Sequence, residues 1–269
     1  METLPQEAGS AFDFLSVTEI AGEEVSTEQV KRLFERYRWA EDYCRGRDVV
    51  EIACGSGQGL GYLARVARSV VGGDISPQLV AMARKHYGTR VEILELDAQA
   101  LPFENQSKDV ILLFEAIYYL PAPEKFLREC ARVLRPEGHL LIATANKDLF
   151  DFNPSPHSYE YFGVVELNRL VENHGFTAKF FGNTPFSSAS LKQRLLRPVK
   201  KVLVDLNLMP KTMAGKKLMK RLVFGKLVPM PAEVTPIASD YTPPTPLTPE
   251  QPDRSHKALF CAACLTPTH

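Results

Sequence analysis

The chain of 269 residues has little that would staple, anchor or export it. Its five cysteines, at 44, 54, 130, 261 and 264, form an odd and scattered set. That argues against a disulfide framework and for a reducing compartment. Cys261 and Cys264 have CxxC spacing, but the sequence offers no second pair to complete a zinc site, so no metal is expected. The run around them, "ALFCAACL", reads as a strand, where positions three apart face opposite sides. No stretch approaches the ~18 consecutive apolar residues of a membrane span. The acidic start, "METLPQEAGSAFDFL", lacks the basic region of a signal peptide. A soluble, cytoplasmic protein is therefore expected. A phosphate loop of the form GxxxxGK followed by Ser or Thr is also missing.

Acids are scarce in one place. Residues 186–232 carry 11 Lys and Arg against the single Asp205, a net of +10, whereas residues 1–185 carry 19 against 27, a net of −8. Such asymmetry points to a basic surface for an anionic partner. Leu191, Leu195, Leu196, Val199, Val202, Leu203 and Leu206 share one helical face there, with Lys and Arg largely elsewhere. The stretch could lie on an anionic membrane as an amphipathic helix, close over a cleft as a lid, or simply cap the sheet. "TPIASDYTPPTPLTPEQPD" beyond it is dense in proline and reads as extended linker.

What is present elsewhere is alternation. Residues 1–25 look like a loose arm. Ser26 or Thr27 caps a helix in which Val30, Leu33, Phe34, Tyr37 and Ala40 are spaced helically. Then "DVVEIAC", "SVVGGDIS", "VEILELDA", "DVILLFEAI", "HLLIATA" and "TAKFFGNTPF" read as strands. The helices between them are "GLGYLARVA", "SPQLVAMARKHY", "PEKFLRECARVLRPEG" and "VVELNRLVENHGF". Strands separated by helices imply a parallel sheet with helices on both faces.

The stretch "VVEIACGSGQG", residues 49–59, breaks the first strand of this pattern with Gly55, Gly57 and Gly59. In such sheets a ligand sits beyond the strand ends, and missing side chains let it approach the main chain. A dinucleotide fingerprint fits poorly, because the GxGxxA match at Gly59–Ala64 falls inside the following helix. Three carboxylates fit better. Asp74, ending the second strand, can hold ribose hydroxyls; Asp97, ending the third and followed by small Ala98, can accept from an exocyclic amine; Glu51, beneath the loop, can hold a cation. Ribose, adenine and positive charge without phosphate describe S-adenosylmethionine.

From about Asp48 to Phe186 the chain resembles class I S-adenosylmethionine-dependent methyltransferases of the small-molecule type. "VVEIACGSGQG", "GGDIS", "LDAQALPF", "DVILLFEAIYYL" and "VLRPEGHLLIAT" are similar to that family's motifs, in order. Two positions depart: the family often has Gly at Ala53 and His at Tyr119. The resemblance implies a Rossmann-like α/β sandwich with a seven-stranded, mostly parallel sheet whose last strand, at 256–264, is antiparallel. It implies a cofactor domain over 47–186 and 255–269, preceded by an arm and lid helix (1–46) and interrupted by the basic helical insert and linker (187–254). It assigns Gly55 and Gly57 to the methionyl part, Asp74 to ribose, and Asp97 with Ala98 to adenine; Glu51, Ala53 and Ile75 are expected at the cofactor as well. Phe114 and Glu115 would flank the reacting methyl.

A hydroxyl acceptor needs a base. Glu115, Tyr118, Tyr119 and His157 are candidates, with His157 preferred. The expected acceptor is a small molecule, anionic or lipid-linked, such as a sugar hydroxyl of a glycan or glycolipid precursor. N- or C-methylation, a non-catalytic cofactor-binding protein and an NAD-dependent oxidoreductase remain alternatives. RNA is the rival anionic partner, without a recognised RNA module beside the basic stretch.

Overall fold

The computed structural model describes residues 14–16, 18–155, 157–185, 227–235 and 241–266. Most of the basic stretch, 187–226, lies outside them, so the lid, membrane and cap readings of that segment do too. Helix α1 (Thr27–Cys44) begins as the sequence requires. Ser26 Oγ accepts from Gln29 N at 3.2 Å, and the Gln29 side chain accepts from Ser26 N at 2.9 Å, a reciprocal capping box.

Five parallel strands follow: β2 (Asp48–Ile52), β3 (Ser69–Asp74), β4 (Glu92–Glu95), β5 (Lys108–Phe114) and β6 (Leu134–Ala145). Helices α2 (Leu60–Leu63), α3 (Pro77–Tyr87) and α4 (Pro123–Val133) connect strands, and α5 (Val164–Glu172) leads to β7 (Phe176–Pro185). Strand β10 (His256–Leu265) inserts between β6 and β7, antiparallel to both. A short edge strand, β9 (Thr245–Leu247), pairs with β7, which gives the order β4-β3-β2-β5-β6-β10-β7-β9. The antiparallel strand lies where expected, and β9 makes the sheet eight-stranded rather than seven-stranded.

Four local readings are corrected. The proline-dense segment contributes β9, because Pro246 sits on an edge strand where a missing N–H breaks no ladder. The arm is not wholly loose: β1 (Glu24–Ser26) pairs with β8 (Leu227–Pro229), and Phe14–Ser16 form a 3-10 turn. Strand β6 starts at Leu134 rather than His139, since Arg135 is drawn to Asp48 (3.0 Å) and Asp109 (2.7 Å) at the strand origins. Helix α2 stops at Leu63, and the chain turns back there, with Gly46 N bonding Val66 O.

Hydrophobic clusters cover both sheet faces, as a three-layer sandwich demands. α4 and α5 bury Phe126, Leu127, Val164 and Leu167 on one face. On the other, α1 buries Leu33, Phe34, Tyr37 and Trp39. The single tryptophan, Trp39, lies 4.9 Å from the Phe260 ring and 6.5 Å from that of Phe114. This helix is thus part of the core, and it also carries side chains that face the cavity.

Candidate functional site

The glycine turn after β2 opens onto a cavity of about 810 Å³ at the carboxyl ends of the parallel strands. Glu51, Ala53, Gly55, Asp74, Ile75, Asp97 and Ala98 line it along β2, β3 and β4. Phe114, Glu115, Tyr118, Tyr119 and His157 line it beyond β5 and β6. The chain thus brings together every residue assigned from the sequence to the cofactor or to the base except Gly57, which is not on the wall.

The loop explains this exception. Ala53, Gly55 and Gly57 all have positive φ, at 55°, 60° and 88°. A Cβ on Gly57 would meet the Tyr87 ring at 2.9 Å. The Tyr87 hydroxyl donates to Gly57 O at 2.6 Å and accepts from Gly61 N at 2.9 Å. At Gly59 a Cβ would fall 1.8 Å from the Tyr37 ring. Two of the three glycines therefore make room for tyrosines that brace the loop from α3 and α1. Gly55 alone of the three faces the cavity.

Glu51 is 2% exposed. Its Oε1 accepts from the Tyr37 hydroxyl at 2.5 Å, while its buried Oε2 has no partner. Burial pushes its pKa up to about 7, against the lowering effects of Tyr37 and Arg36. A cationic ligand group would satisfy the second oxygen and restore the charge. Asp74 is also buried, and burial raises its carboxyl above the ordinary range. Its Oδ2 accepts from Gly55 N and its Oδ1 from Ser76 N, each at 2.9 Å. Each oxygen keeps a lone pair for a ligand hydroxyl. Asp97 Oδ1 accepts from Gln99 N at 2.8 Å.

At the other end Glu115 also has positive φ, 53°. Its Oε2 accepts from the Tyr118 hydroxyl at 3.2 Å, and its Oε1 lies 3.5 Å from Arg36 Nη1. The Tyr119 hydroxyl shares a 2.6 Å hydrogen bond with Ser155 Oγ. Burial pushes both tyrosines' pKa values up, so these phenols keep their protons. His157 follows β6 in a loop, at φ 67°, tied to the tyrosine turn by Tyr159 N donating to Tyr118 O at 2.8 Å.

Among the cavity residues that escaped the sequence reading are Arg32, Arg36 and Tyr37 on α1. The available signal was a pair of arginines at i and i+4 beside the apolar stripe. The arm contributes Thr18 and Glu19, held by Gln58 Nε2 donating to Glu19 O at 2.5 Å and by Gln29 Nε2 donating to Glu19 Oε1 at 2.7 Å. Among the described residues no group of His, Cys, Asp and Glu could hold a metal ion, and no helix is long and apolar enough to cross a membrane.

Residues 50–142 match the family described as "Methyltransferase domain". Over 137 residues the chain is 39% identical to a Mycolicibacterium smegmatis protein named "Probable S-adenosylmethionine-dependent methyltransferase", covering 49% of this chain and 53% of that protein. It is 40% identical over 101 residues to the phthiotriol/phenolphthiotriol dimycocerosates methyltransferase of Mycobacterium leprae, covering 36% of this chain and 37% of that one. The chain thus spans about half the length, or less, of these curated relatives. A SAM-dependent methyltransferase structure from Thermotoga maritima covers 89% of this chain and 96% of its own at a TM-score of 0.54 and 16% identity, a likeness of fold. With these relatives, residues 50–142 form a methyltransferase domain of the class I S-adenosylmethionine-dependent kind, whose cofactor is S-adenosylmethionine.

Proposed function

We propose that the protein transfers a methyl group to a hydroxyl of a small acceptor. The observation that carries this is one continuous cavity with an unsatisfied Glu51 carboxylate oxygen at one end and Glu115, Tyr119 and His157 at the other. S-adenosylmethionine supplies an activated methyl on a cationic sulfonium. The protein's task is to align donor and acceptor, a contribution of ~7–11 kcal/mol when geometry is ideal. In this reading Glu51 and Arg36 hold the amino-acid end of the cofactor, and Gly55 lets it approach the main chain. Asp74 and Ile75 take the ribose, Asp97 and Ala98 the adenine, and Phe114 closes over the join. His157 or Glu115 accepts the acceptor's proton, and the Tyr118 and Tyr119 hydroxyls orient it.

The finer acceptor reading is an alcohol on a lipid-linked or glycan precursor, met in the cytoplasm or at an anionic membrane surface through the basic stretch 187–232. Support for a lipid-borne hydroxyl comes from relatives' names: a dimycocerosates methyltransferase in Mycobacterium leprae and an O-methyltransferase of ubiquinone biosynthesis in Aliivibrio fischeri. A sugar rests on the sequence reading alone. The test feeds methyl-labelled S-adenosylmethionine to membrane and soluble cell fractions, with Asp74→Ala as control, and identifies what is labelled. Label on an alcohol oxygen supports the proposal. Label on nitrogen or carbon, or tight cofactor binding with no label in any fraction, refutes it.

A further inference from the structure

One face of α1 carries Glu28, Arg32 and Arg36, spaced i, i+4, i+8, so their side chains stack along one line. The two outer members are pinned. Arg36 lies 3.5 Å from Glu115, at the end of β5. Glu28 pairs with Lys257, at the start of β10, where Ala258 faces Ala145 at the end of β6. Arg32, between them, faces the part of the cavity beyond β5, β6 and β10, which Ala145, His157 and Tyr159 also line. Glu51, within β2, is acted on by Tyr37 and Arg36.

The charges along this line are unequal. Arg36 has Glu115, and Lys257 has Glu28. Arg32 makes no hydrogen bond or ion pair among the described residues, and its Nε is buried without a partner. The Nε of Arg36 is buried and unpartnered as well. A buried donor left unpaired is destabilising, and more so when it is charged. A guanidinium presents a planar fork whose natural complement is an oxyanion held by two hydrogen bonds.

We propose that Arg32, supported by the neighbouring Lys257, anchors an oxyanion, carboxylate or phosphate, carried by the methyl acceptor. This rests on the methyltransferase reading of the cavity and adds to it: the acceptor is an acid anion whose charged group lies at the β6–β10 end. Arg32 is a specificity residue, not part of the transfer step. The Tyr118, Tyr119 and Tyr159 rings on the same wall fit an acceptor with a flat apolar body.

The test uses the full chain saturated with S-adenosylhomocysteine, in wild type, Arg32→Gln and Arg32→Lys. Calorimetry measures binding of benzoate, phenyl phosphate and the neutral benzamide. The expectation is that benzoate or phenyl phosphate binds wild type at least tenfold more tightly than benzamide, and the stronger of the two names the oxyanion. Arg32→Gln erases the preference with S-adenosylhomocysteine affinity within twofold of wild type, and Arg32→Lys keeps part of it. Equal binding of benzoate, phenyl phosphate and benzamide, or an unchanged preference in Arg32→Gln, overturns the proposal. So does a tenfold loss of S-adenosylhomocysteine affinity in that variant, which would give Arg32 to the cofactor's own carboxylate. If wild type fails to bind S-adenosylhomocysteine at all, the methyltransferase reading itself falls, and this inference with it.

Discussion

Protonation of Glu51 should compete with the cofactor. Its pKa is raised from the ordinary 4.5 to about 7, chiefly by burial. A folded-state pKa above the unfolded one means that this group's relative stabilisation is full below pH 4.5 and is lost as pH rises through about 7. The displacement corresponds to about 3 kcal/mol at pH 8 in the free protein. A ligand ammonium beside the unpartnered Oε2 recovers part of that cost by favouring the carboxylate. Affinity for S-adenosylhomocysteine should therefore fall roughly tenfold from pH 8 to pH 6, and binding at pH 7 should release about half a proton. Calorimetry in buffers of different ionisation enthalpy measures both. Glu51→Gln should flatten the pH dependence and weaken binding, yet raise the melting temperature of the free protein at pH 8. The Tyr37 hydroxyl can still donate to the amide oxygen, so the variant keeps that hydrogen bond. A dissociation constant unchanged between pH 6 and pH 8, or a glutamine variant that binds as tightly as wild type, would refute the reasoning.

Two further outcomes follow from the packing. Ala53 adopts φ 55°, where an L-residue loses roughly 1–2 kcal/mol and glycine does not. Against this stands about 0.4–1 kcal/mol of extra unfolded-chain freedom for glycine. Ala53→Gly should thus stabilise the protein by up to ~1.6 kcal/mol in urea titration with cofactor affinity within twofold, and a clear loss of stability would contradict the strain. Trp39→Ala removes the ring between α1 and the sheet and should cost ~3–5 kcal/mol. Because α1 also carries Tyr37 and Arg36, cofactor affinity should drop with it. Undiminished cofactor affinity in the folded variant would show that the helix does not need this anchor.

What the sequence determined by itself is the local part. The glycine turn, the acids at the ends of β2 and β3 and beyond β4, and the alternation of strand and helix are all written in residues close together along the chain. Their meaning depends on backbone freedom, capping and periodicity, which act over a few positions. Ser26 shows this well: its capping box needs only Gln29, three residues on. The tertiary structure decided the rest. Tyr37 could be read as one more apolar-stripe residue, and only the docking of α1 on the sheet aims its hydroxyl at Glu51. Gly57 and Gly59 looked like ligand contacts, but distant rings from α3 and α1 fill their spaces. The proline-dense segment became an edge strand because β7 offered it a partner. The direction of Arg32 likewise depends on Glu28 and Arg36 being pinned to β10 and β5. These are contacts between residues far apart in the chain, set by how faces pack, and no local pattern encodes which face meets which.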